Sequence, residues 1–316
     1  MRISDVERNR SYTQNVEQRL VNLNRIQQEL GTGKSLFAPS EDVNRADQAL
    51  TARGALASDA QFLRNIDDGK SWVDNADTHL QSVVDLINDI SSLAEAADNS
   101  SETETDRQNA AVQINQKLET LMGLVNSKNG DRYLFGGTGT TSAPFTAVRD
   151  ANGEIQSVTA NSATIAGKIY RDIGDGDSIQ INVSGAQLFQ PTGTAGADGD
   201  LFYVVSALRD TVGNNDTPPP GYEDTRSNAH LRDQLAAIRD RITVQQTYLG
   251  SIGQRLTDTE GRIKSQDINL TNSLEQAQGV DTTSLVSRMA TEQGAYNALA
   301  AIGQTVLGQS LVDYLK

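Results

Sequence analysis

The chain has 316 residues, with 41 acidic against 27 basic side chains and a formal charge of −14. Nucleic acid and anionic membrane surfaces are therefore poor partners, because phosphate binding needs clustered Lys and Arg. Cysteine is absent, which excludes disulfides, thiolate nucleophiles and thiolate metal sites. Hydrophobic residues make up 37% and aromatics 5%, thin for one large core and suited to long helices that bury narrow stripes beside a smaller packed domain. Residues 1–7 lack an apolar core of signal-peptide length, and no stretch approaches the ~20 apolar residues that span a bilayer. The expectation is a cytoplasmic protein or one exported without a cleaved signal.

Residues 5–32 are predicted to form a helix. Val16, Leu20, Leu23 and Leu30 lie on one face, and Gly31-Thr32-Gly33 supplies the stop. Pro39 holds Ala38 extended. Ser40-Glu41-Asp42 offers an N-cap and an acidic first turn for a second helix, from about Val43 to Asp98. Its stripe is Trp72, Ala76, Leu80, Val83, Ile87, Ile90 and Ala94, and the polar run 98–101 breaks it. Thr105 and Gln108 have the spacing of a capping box. The third helix they open carries Ala111, Ile114, Leu118, Leu121 and Val125, and stops at Asn129-Gly130.

The texture changes after Arg132-Tyr133-Leu134-Phe135-Gly136-Gly137, and residues 139–200 are rich in Gly, Thr and Asn. Asn152-Gly153 between two apolar runs predicts a hairpin. Ile179, Ile181 and Val183 alternate as in a half-buried strand, residues 201–212 suit a short helix, and Pro218-Pro219-Pro220-Gly221 is a stiff connector.

In the last third Leu235, Ile242, Leu249, Leu256, Ile263 and Leu270 recur every seven residues. Leu231, Ile238, Gln245, Ile252, Thr259, Gln266 and Ser273 form the companion seam. One helix over 225–276 would be about 80 Å long and must lie along another helix. After Gly279 a final helix carries Leu285, Met289, Tyr296, Leu299 and Val306. The terminal stripes are weak and the inner seams strong. A lone helix with a weak stripe is marginal in water, so the terminal helices are expected to pair fully only on assembly.

The expected fold is mainly α with an inserted β domain: a long antiparallel helical coiled-coil bundle, terminal helices pairing on assembly, and a small β-rich outer domain. The segments are 1–42, an assembly helix and linker; 43–138, the first half of a helical rod; 139–224, the insertion; 225–278, the returning helix; and 279–316, the second assembly helix.

Three blocks carry a resemblance. The run from Leu23 to Lys34 followed by Pro39-Ser40-Glu41-Asp42, the run from Arg64 to Gly69 with Trp72 and Ala76, and the C-terminal blocks 293–299 and 310–315 are similar to the flanks of the bacterial flagellin family. Glu41 stands where Asp is usual in that family, and Val43 where Pro is common. Arg132 to Gly137 resembles a block found in the family's hook–filament junction members. The resemblance implies a structural, non-enzymatic flagellar protein, exported by the type III route with the help of a chaperone. It implies a ring of copies between the first hook-associated protein and flagellin, extracellular, with no cofactor. The same resemblance leaves flagellin itself as the alternative.

Other sites read more simply. His79 and His230 have no nucleophile at a useful spacing. Asp172-Ile173-Gly174-Asp175-Gly176-Asp177 does not match a calcium loop and reads as a turn. Gly136-Gly137-Thr138-Gly139 lacks the lysine of a phosphate loop and reads as a turn out of the helical shell. A secreted calcium- or glycan-binding protein using residues 139–200 is the alternative of another class, and a cytoplasmic coiled-coil scaffold is a third.

Overall fold

The computed structural model describes residues 2–99, 102–161, 164–191, 199–213 and 227–314, with the backbone alone for 2–6, 8 and 304–314. The connector 218–221 lies outside the described residues. Four long helices dominate the described residues: α1 (Arg2–Thr32), α2 (Val43–Ala97) and, after a shorter helix α3 (Glu104–Val125), α6 (Asn228–Gln278) and the final helix α7 (Thr282–Tyr314). Between α3 and α6 stand the short strands β1 (Lys128–Asn129), β2 (Arg132–Tyr133), β3 (Phe145–Arg149), β4 (Ile155–Ala160), β5 (Tyr170–Gly174) and β6 (Asp177–Gln180). The helices α4 (Gly185–Phe189) and α5 (Leu201–Gly213) follow them, and α7 (Thr282–Tyr314) closes the chain. The strands pair as three antiparallel hairpins, β1–β2, β3–β4 and β5–β6. The fold is thus the mainly α architecture with a small antiparallel β region that the periodicities predict.

The chain packs as two compact units, residues 59–263 and residues 1–58 with 264–316, called here the central and the terminal unit. These groupings cut across the five segments, because α2 and α6 contribute to both.

In the central unit α2 and α6 run antiparallel. Lys70 pairs with Glu260, Gln246 reaches Asp77 and Gln81, and Arg232 meets Glu95 and Asp98. Their stripes interlock: Trp72, Leu80, Val83, Ile87 and Ile90 are buried, as are Leu235, Ile242, Leu249, Leu256 and Ile263. A fully buried Leu or Ile contributes roughly 1.5–3 kcal/mol, an upper estimate for an extended reference chain. Gly69 lets the helices approach, since a Cβ there would stand 3.3 Å from both Leu256 and Ile181. The same core continues into the insertion. Phe135, Phe145, Phe189 and Phe202 form a buried aromatic cluster with centroids 5.1–6.4 Å apart, and α5 packs along α3.

Several local expectations change. The capping box of α3 is made by Thr103 and Asp106, not Thr105 and Gln108: Thr103 Oγ1 accepts from the Asp106 N–H at 3.2 Å, and the Asp106 carboxylate reaches back to the Thr103 N–H. That pairing starts the helix earlier and leaves Thr105 inside its first turn. Asp42 caps α2 by accepting from the Arg45 N–H at 3.1 Å, but no acid occupies the first turn itself. Helix α3 ends at Val125, and Gly130, with φ of 60°, turns the β1–β2 hairpin instead of merely stopping a helix. Strand β6 ends at Gln180, although Ile181 and Val183 stay buried. There the Asn182 side chain replaces the ladder, accepting from the Ile169 N–H at 2.7 Å and donating to Gly167 O at 2.9 Å. The Asp172–Asp177 run is the β5–β6 turn, with Gly176 at φ of 69°.

Candidate assembly surface

The terminal unit has little apolar core: Leu23, Ile26, Ala49, Ala52, Ala277 and Leu285 are its buried apolar side chains among the described residues. Helices α1 and α7, expected to pair on assembly, already lie against each other within one chain. Polar groups do much of the holding. One terminal nitrogen of Arg19, Nη1, donates to both oxygens of the Glu292 carboxylate at 3.0 and 2.8 Å, and Tyr12 donates to Leu299 O at 3.1 Å. The Arg19 hydrogen bond holds the Glu292 carboxyl below its ordinary value. Gly303 is the near-contact partner of Tyr12, because a Cβ at that position would stand 2.0 Å from the phenol oxygen. Arg19, Glu292, Tyr12 and Gly303 are not singled out by the sequence patterns, and a glycine within a helix is the one local signal for the last of them.

The predicted seam residues divide. Leu23 and Leu285 are buried, at 8% and 3% exposure. Val16, Leu30, Met289, Tyr296 and Leu299 are half-buried. Leu20 is 40% exposed, with Val21 and Val286 more open still at 60% and 58%. Val306 lies among the residues whose side chains fall outside the described ones. The α1–α7 pair therefore closes one seam and leaves apolar groups on its outside.

The Arg132–Gly137 block sits elsewhere, in the central unit, and each member has a local task. The Arg132 guanidinium lies 5.0 Å from the Trp72 ring centroid and bonds the Asp68 carboxylate at 2.7 Å. Arg171 takes the other Asp68 oxygen at 2.8 Å. Burial pushes the Asp68 carboxyl up, but the hydrogen bonds from Arg171 and Arg132 outweigh it and hold the group below its ordinary value. The Tyr133 ring lies under the Lys128 ammonium at 4.5 Å. Leu134 and Phe135 are buried. Gly136 and Gly137 pass so close to neighbouring backbone that a Cβ would stand 2.6 Å from Gly139 O and 2.1 Å from Thr164 O. The block is a tight turn that ties α2 to two hairpins.

The two histidines remain simple. His79 is half-buried, and burial lowers its pKa; His230 meets the Gln234 amide at 3.0 Å. Among the described residues no three His, Asp or Glu gather as a metal site, and no helix is long and apolar enough to cross a membrane.

Comparison with known proteins fits this arrangement. The flagellar hook-associated protein 3 of Escherichia coli K12 is 24% identical over 301 residues, 92% of each chain. That of Salmonella typhimurium LT2 is 25% identical over 307 residues, 91% of each. In fold, the chain is similar to Bacillus cereus FlgL (TM-score 0.55, 21% identity, 71% of this chain and 99% of that one). It is also similar to the flagellar hook-associated protein 3 of Legionella pneumophila (TM-score 0.60, 13% identity, 72% and 98%). The bacterial flagellin N-terminal helical region matches residues 3–140, and the C-terminal helical region matches 234–315. With both helical flanks matched in order, the chain belongs to the bacterial flagellin family.

Proposed function

We propose that this chain is a structural adaptor of the bacterial flagellum, seated where the hook meets the filament. One observation carries the reading. The alignments with the two hook-associated proteins 3 take in 91% or more of both chains, so they include the insertion that the family regions leave unmatched between 140 and 234.

In this reading segments 1–42 and 279–316 are the assembly module. Val16, Leu20, Leu23, Leu30, Leu285, Met289, Tyr296, Leu299 and Val306 form its seams, and the groups left open on α1 and α7 meet neighbouring subunits. Head-to-tail contacts of this kind build rings and tubes. Copies of the chain form a ring between the first hook-associated protein and flagellin, outside the cell. An export chaperone holds the chain before it leaves by a route without a cleaved signal. The role is mechanical and asks for no catalysis or cofactor.

Immunogold electron microscopy with antibody against residues 139–224 tests it on flagella of cells that make this chain. The expected result is one band of label at the hook–filament junction. Label along the whole filament would make the chain a flagellin, and flagella without label would overturn the flagellar role.

A further inference from the structure

Two interruptions of the long helices, Thr32 to Val43 and Gln278 to Thr282, lie side by side within the terminal unit. Lys34 and Gly279 pair as an antiparallel bridge, and the Ser35 N–H donates to Gln278 O at 2.7 Å. Each interruption uses the same two parts. A glycine ends one helix: Gly33 at φ of 67°, and Gly279 where a Cβ would stand 2.4 Å from Glu275 O. An aspartate caps the next: Asp42 for α2, and Asp281, which accepts from the Thr283 N–H at 2.9 Å, for α7.

Arg45 spans both. Its Nε donates to Ala277 O at 2.8 Å, a carbonyl in the last turn of α6 that has no partner further along that helix. A terminal nitrogen of the same guanidinium donates to Ser35 Oγ at 2.7 Å, and that hydroxyl donates to Gln278 O at 3.1 Å. The planar fork of arginine suits this double engagement, and a lysine would not reproduce it. Apolar packing at this level is weak. The buried side chains are alanines, Ala49 and Ala277, while Val43 and Leu50 are 71% and 70% exposed.

We infer that Arg45 is a latch on a double hinge: its bonds to Ala277 O and Ser35 fix the direction of the α1–α7 pair relative to the start of α2 and the end of α6. Releasing it lets the pair swing about both interruptions, since hinges are a few element-terminal residues that absorb backbone rotation. The inference does not depend on the junction reading.

The absence of cysteine makes the test clean. Spin labels are placed in the full chain through Glu17→Cys and Gln48→Cys to report pair against stub. Glu17→Cys with Gln293→Cys reports the α1–α7 pair itself; all three positions are exposed. In the otherwise unchanged chain both distance distributions are narrow. Arg45→Ala should broaden and shift the 17–48 distribution while 17–293 stays as it was. A 17–48 distribution that is unchanged by Arg45→Ala, or already broad before it, overturns the latch. So does equal broadening of 17–293, which would make Arg45 a general support of the unit.

Discussion

The central and terminal units share α2 and α6 and use different chemistry. Along α6 the seam is buried from Leu231 to Ile263, with Leu235, Ile238, Ile242, Leu249 and Leu256 all at 0% exposure; its polar members are Gln245, half-buried, and Thr259, buried. The same helix then continues with Gln266 and Ser273 exposed and Leu270 half-buried, so the sixth heptad position does not complete the seam. The central unit buries Trp, Phe, Ile and Leu in one continuous cluster. The terminal unit buries alanines, a few larger side chains and polar pairs. Continuity of a helix is not continuity of a core. Where the core stops, the helix depends on single side chains and on what it meets next, as the proposed assembly of the termini requires.

The largest test of this contrast is Leu249→Ala. It opens a cavity in the buried seam and should destabilise the central unit by about 2–5 kcal/mol, read by chemical denaturation. Leu285→Ala in the terminal unit should cost only about 2 kcal/mol, the low end of that range, because half-exposed neighbours can close the gap. Its effect should be confined to the terminal helices, and an equal loss in both units would break the contrast. Arg132→Ala removes a ring contact and one partner of Asp68, for about 1 kcal/mol.

A pH series sharpens that last point. The Asp68 carboxyl is held below its ordinary value in the folded chain, so it binds protons less readily there than when unfolded. Its contribution is present above the unfolded value of about 4 and is lost as pH falls through the lower folded value. Asp68→Asn should flatten the acid limb of central-unit stability and leave the neutral-to-alkaline part parallel to that of the parent chain. Smallest of all is Arg19→Ala. The Arg19–Glu292 pair is only partly buried, so its removal should shift terminal-helix melting only slightly, and less in high salt.

Periodic burial made the frame readable. The limits of α2 and α6 follow from stripes and caps, and Asn152-Gly153 marks its hairpin because few residues tolerate that turn; Gly153 has φ of 85°. Signals that side chains satisfy in more than one way were not readable. Thr103 and Thr105 both offer a cap, and only the reach of Asp106 decides between them. Asn182 ends a strand whose alternation continues. Residues 201–212 read as a short helix, but their burial on nearly every side depends on α3 and the Phe cluster. In the terminal unit, Arg19 with Glu292 and Tyr12 with Gly303 are separated by more than 270 residues along the chain, and no local pattern announces them. Arg45 is one arginine in a helix start until Ala277 O and Ser35 stand beside it.

The most direct measurement is amide hydrogen exchange on the isolated, full-length chain. Strong protection is expected of α2 from about residue 72 to 94 and of α6 from 231 to 263. Protection should drop sharply across α1 and across α7 from 283 to 300, because local opening there exposes little apolar surface. Protection of residues 10–30 as strong as that of the α6 seam would contradict it, and the terminal helices would then need no neighbour to hold them.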